Sequence, residues 1–109
     1  MKAKLPDPLE AYFSALDRGD VDAMLAPFAA DAAVTDEGKT RRGRAAVREW
    51  IRETTEKYHP AFEVADVAEE GVGTTVVSGL VSGTFPGSPV RLRYSFKVDT
   101  GKIARLEIT

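Results

Sequence analysis

Apolar positions recur at helical spacing through the first part of the chain and at every second position through the last half, with one further helical stretch between. Leu9, Tyr12, Phe13 and Leu16 fall at i, i+3, i+4 and i+7, one face of an amphipathic helix that Gly19 ends. Asp7, Pro8 and Glu10 mark its start: Asp7 as N-cap, Pro8 at the first helical position and Glu10 reaching back as in a capping box. Asp20 caps a second, shorter helix, in which Val21, Met24, Leu25 and Phe28 repeat the spacing and Pro27 stands near the end. A strand from Ala32 to Asp36 turns at Glu37 and Gly38, and Lys39 to Arg42 returns beside it as a polar arm. Gly43 then opens the longest helix, Arg44 to Tyr58, with Val47, Trp50, Ile51, Thr54 and Tyr58 on one face. Trp50 is read there as buried wall, the usual use of an indole.

From Ala61 the pattern is extended. Four strands are predicted, Ala61 to Glu70, Thr74 to Phe85, Val90 to Asp99 and Lys102 to Thr109, joined by short turns and therefore an antiparallel meander. Val90, Leu92, Tyr94, Phe96 and Val98 alternate with Arg91, Arg93, Ser95 and Lys97, so Tyr94 faces inward and the arginines outward. Val76, Val77, Leu80 and Val81 make their strand apolar on both sides, which calls for cover over the outer face; a homodimer through that sheet face is the expected form. Asp66 shares the parity of Phe62 and Val64, unless a bulge after Val64 turns it to solvent. The architecture expected is α+β: two short helices and a long one covering one side of a curved antiparallel sheet, with a conical cavity between, all in one domain spanning 1–109. The cone would be walled by Leu16, Phe28, Val34, Trp50, Ile51 and Phe62, with Tyr94, Phe96 and Leu106.

One position departs from this pattern. In ADAAVTDEG, Ala32, Val34 and Asp36 share a strand face, so an acid is aimed at the apolar interior, where it is costly unless paired, hydrogen-bonded or protonated. Two readings fit: a carboxylate placed for chemistry, or an Asp at a turn with Glu37 and Gly38, where Asp is common.

Composition narrows the chemistry. The 109 residues are 43% hydrophobic and 29% charged, those of an ordinary globular protein. No apolar run has bilayer length and the start has no apolar core behind its lysines, so no membrane association and a cytoplasmic location are expected. There is no cysteine and a single histidine, His59, in a loop before Pro60, which leaves no thiolate nucleophile and no histidine or cysteine metal cluster; no cofactor is expected. A net charge of −2 gives no general attraction to nucleic acid, and the run Lys39, Arg41, Arg42, Arg44 reads as a solvated hairpin arm.

The segment AYFSALDRGDVDAMLAPFAADAAVTDEG, followed by RRGRAAVREWI, resembles the nuclear transport factor 2-like superfamily, which includes SnoaL-like polyketide cyclases and ketosteroid isomerases; the likeness runs from about Leu9 to Ile108. The resemblance implies a cone-shaped fold. It also implies roles: Tyr12 matches the isomerases' oxyanion-hole tyrosine and Asp36 their general base. The second oxyanion donor, a protonated acid, falls at or beside Tyr94, and a supporting tyrosine falls at Ile51, so this chain departs from the pattern at both places. The expected function is proton transfer on a small apolar carbonyl compound, with Asp36 as base and Tyr12 and Tyr94 as hydrogen-bond donors. Ketosteroid isomerase is a known case of such pKa tuning. A passive small-molecule binder and a dimeric interaction module are the rivals, since the superfamily hosts all three. Epoxide hydrolysis fits less well, because the alternation sends Arg91 and Arg93 outward.

Overall fold

A computed structural model describes residues 5–109. Three helices lie in it: α1 (Asp7–Arg18), α2 (Val21–Leu25) and α3 (Arg44–Tyr58). Six strands follow in chain order: β1 (Phe28–Asp36), β2 (Lys39–Arg42), β3 (Ala61–Glu69), β4 (Thr74–Ser82), β5 (Val90–Asp99) and β6 (Lys102–Ile108). They form a single sheet in the order β2-β1-β6-β5-β4-β3. Every neighbouring pair is antiparallel except β1 and β6, which run parallel. The hairpin and the meander that the sequence predicts separately are thus halves of one sheet. Long-range parallel pairing leaves no local turn signal, which is why alternation alone does not reveal it.

The element limits differ where tertiary bonds override local pattern. Asp7 is the first residue of α1 rather than its cap; the Pro6 carbonyl takes the Leu9 and Glu10 N–H groups, and no side chain caps the end. Asp20 does cap α2, accepting from the Ala23 N–H at 3.1 Å. Phe28 leaves the second helix for β1, because Ile103 N–H bonds the Pro27 carbonyl at 2.8 Å and draws the chain into the sheet. β4 stops at Ser82, and the segment 83–89 folds over the end of α3, where Thr84 N–H bonds the Tyr58 carbonyl at 2.7 Å. α1 ends on Gly19, whose φ of +68° is the left-handed conformation a C-cap requires.

The core lies between the inner sheet face and α1 and α3. Its centre is aromatic: Phe13 stacks on Phe62 at 4.5 Å and meets Tyr94 and Phe96 edge-on, while Tyr12 sits edge-on to Phe28 and Phe96. Gly79 makes room for this cluster. A Cβ there would strike the Glu63 carbonyl and come within 2.7 Å of Phe62 Cζ. Gly79→Ala is therefore expected to cost about 1–3 kcal/mol through overpacking, read as a lower urea midpoint; an unchanged midpoint would show that β3 yields freely.

The outer face is polar and charged. Asp66 is exposed on it, turned out by a register shift between Val64 and Asp66. Val76 is only 4% exposed within its own chain, so the apolar excess behind the expected dimer shrinks to Leu80, 37% exposed. Among the described residues, no helix is long and apolar enough to cross a membrane.

Candidate functional site

Between α1, α3 and the sheet lies a cavity of about 420 Å³. Tyr12 and Leu16 of α1 contribute from one side, and Trp50, Thr54 and Tyr58 of α3 from another. The sheet supplies Asp36, Val81, Leu92, Tyr94 and Ile108, and the segment 83–89 adds Phe85 and Pro86. The lining is mostly aliphatic and aromatic; Asp36, Glu37, Thr54 and the tyrosines Tyr12, Tyr58 and Tyr94 bring polar atoms to it. Helical spacing places Tyr12 between Leu9 and Leu16, and strand parity places Tyr94 beside Phe96 on the inner face; these are core positions that carry a hydroxyl.

Asp36 both lines the cavity and leads into the turn. It is the last residue of β1, on the face of Val34, and it precedes a turn whose two residues, Glu37 and Gly38, have φ of +55° and +74°. A two-residue hairpin of this kind needs positive φ at both places. Trp50 Nε1–H donates a hydrogen bond to Asp36 Oδ2 at 3.1 Å. Trp50 is therefore wall and partner together, a role that the sequence reading of it as buried area does not contain. Burial raises the Asp36 carboxyl above its ordinary value; the Trp50 bond lowers it, the nearby Glu37 charge raises it, and the Glu37 backbone N–H and Arg41 lower it. Burial prevails. Trp50→Phe removes a lowering contribution, so any reaction that needs ionised Asp36 is expected to show its rise in rate at higher pH in that variant; an unmoved pH–rate profile would mean the bond is structural only.

Tyr12 is 1% and Tyr94 5% exposed. Burial pushes both phenols up, helped by Tyr94 and Asp36 at Tyr12 and by Asp36 at Tyr94, so both stay protonated at neutral pH. Among the described residues no sealed side-chain nitrogen or oxygen lacks a hydrogen-bond partner. The two hydroxyls make no hydrogen bond to another described residue and hence open onto the cavity, where they can donate to a bound molecule.

Of the remaining residues expected to wall the cone, Leu16 and Trp50 line the cavity. Phe28, Val34, Ile51, Phe62, Phe96 and Leu106 do not; they pack in the core behind it. The wall that replaces them comes from Tyr58, Phe85 and Leu92, of which the first two depend on how segment 83–89 folds back onto α3. Among the described residues there is no cluster of acids or His59 suited to a metal ion.

A curved sheet roofed by three helices, with an acid and two phenols at the wall of an apolar cavity, is an α+β cone of the nuclear transport factor 2-like class. The SnoaL-like domain family matches residues 9–106, and the chain belongs to that family. A candidate polyketide cyclase from Sinorhizobium meliloti is 41% identical over 96% of this chain and 95% of its own, with a TM-score of 0.90. A second candidate polyketide cyclase, from Xanthomonas campestris pv. campestris, is 26% identical over 94% and 86%, with a TM-score of 0.81. A protein from Catenulispora acidiphila with a ketosteroid isomerase-like fold, solved with trimethylamine, is 18% identical over 97% and 86%, with a TM-score of 0.83, and shows the fold alone. No curated protein matches the chain significantly.

Proposed function

We propose that the protein removes a proton next to the carbonyl of a small apolar compound, with Asp36 as base and Tyr12 and Tyr94 as donors to the carbonyl oxygen. The observation that carries this reading is an open, mostly apolar cavity whose wall brings together a carboxylate with raised pKa and two protonated phenols. Asp36 takes the α-proton; the electron pair of the C–H bond moves toward the carbonyl, and the enolate oxygen receives hydrogen bonds from the phenols. Returning the proton to the far carbon of a conjugated dienolate completes an isomerisation, whereas attack of the enolate carbon on a second carbonyl closes a ring, the new alkoxide taking the proton that Asp36 holds. The likeness to candidate polyketide cyclases supports the second outcome as much as the isomerase resemblance supports the first. Both need the same base and the same oxyanion donors.

The cavity supports this class of ligand by size and lining, since pockets of a few hundred Å³ with few polar groups suit small organic molecules. Passive binding would need no acid beside the phenols, and a solid core would serve an interaction module equally well. The test is formation of the conjugated enone from a β,γ-unsaturated ketone by the wild type and by Asp36→Asn. Equal rates would remove proton transfer.

A further inference from the structure

The cavity does not end at Asp36. A second space of about 200 Å³ adjoins it and shares Asp36, Glu37, Trp50, Thr54 and Tyr58 with it. The larger space is mostly apolar, whereas this one adds charge: Lys39 and Arg41 from β2, Glu53 and Lys57 from α3. Strand register explains the cations. Lys39 pairs with Asp36 and Arg41 with Val34, and cross-strand partners project to the same side of a sheet. Both therefore point toward α3, while Arg42, opposite Ala33, points the other way. The basic run expected to be one solvated arm is divided between two faces.

Arg41 is neutralised by Glu53 at 3.1 Å. Lys39 and Lys57 form no ion pair with any described residue. Lys57 Nζ lies 5.2 Å from the centre of the Tyr58 ring, and that ring lines both spaces. Two lysines thus line this vestibule, one from β2 and one from α3, and neither is paired with Glu37 or Asp36, which share the wall. An anionic end on an apolar ligand seated against Asp36 can pair with these two lysines.

We propose that the bound molecule is amphiphilic, with an apolar carbonyl body in the larger cavity and a carboxylate held between Lys39 and Lys57 in the vestibule. This rests on the reading of the larger cavity as the ligand site. The test pairs 2-naphthaleneacetic acid with its neutral amide, both titrated calorimetrically into the 109-residue chain. Wild type is expected to bind the acid about tenfold more tightly than the amide at low salt, a preference that 0.5 M salt erodes. In the Lys39→Gln, Lys57→Gln double variant the ratio of the two affinities falls toward one. Both lysines are exposed, so the variant keeps the fold. Equal affinities in wild type, or a preference for the acid that survives the double substitution, overturn the carboxylate site and leave the cavity reading standing. Failure of both probes to bind overturns the cavity reading as well.

Discussion

Asp36→Asn is expected to lower the rate of enone formation by about a thousandfold, the middle of the range that a positioned base contributes. The amide keeps the shape and still accepts from Trp50, so the cavity and its affinity for neutral ketones should survive while the proton has nowhere to go. The same substitution has a second, opposite effect. The folded-state carboxyl titrates above its ordinary value of 3.8, mainly because it is partly buried. Stability contributed by its neutral form is fully present below that ordinary value and is lost as pH rises through the raised one. Urea midpoints measured from pH 4 to pH 8 should therefore fall for the wild type relative to Asp36→Asn. A difference that is flat with pH would remove burial as the cause of the shift. Together the two results would make Asp36 a residue kept for chemistry at a cost in stability.

Phe96→Ala is expected to cost about 3–5 kcal/mol, the range for truncating a buried aromatic. Phe96 is fully buried and lies within 5.6 to 6.1 Å, ring centre to ring centre, of Phe13, Tyr12 and Tyr94. Its loss removes the support beneath both phenols at once. Against a typical domain stability of ~5–15 kcal/mol, that is enough to leave the variant marginal in equilibrium urea unfolding. A loss below about 1 kcal/mol would mean that the aromatic centre refills the space and is not the rigid base of the site.

The helices and strands were legible because this chain states its periodicity plainly: α3 runs Arg44–Tyr58 and β5 runs Val90–Asp99, as the spacing predicts. Asp36 and Tyr94 were legible for the same reason, since strand parity fixes which face a side chain takes. What parity does not encode is depth. Phe62 and Phe96 share the inward face with residues that line the cavity, yet they fill the core, because cavity or core depends on what lies opposite in three dimensions. The Trp50 bond to Asp36 joins residues 14 apart on different elements, and no local pattern announces it. The side that Lys39 and Arg41 take, that of Asp36 and Val34, was available from the hairpin register, and the arm is solvated as its charge predicts, with Lys39 exposed.

The place of β6 bears on how the molecule comes into being. It is the last strand in chain order and lies in the middle of the sheet, between β1 and β5. Neither β1 nor β5 can complete its pairing on the facing edge until β6 is in place. Both halves of the site wait with them, for Asp36 stands on one flank of that gap and Tyr94 on the other. Local helices can form early, but Asp36 and Tyr94 are joined in one sheet only once β6 has paired with both flanks.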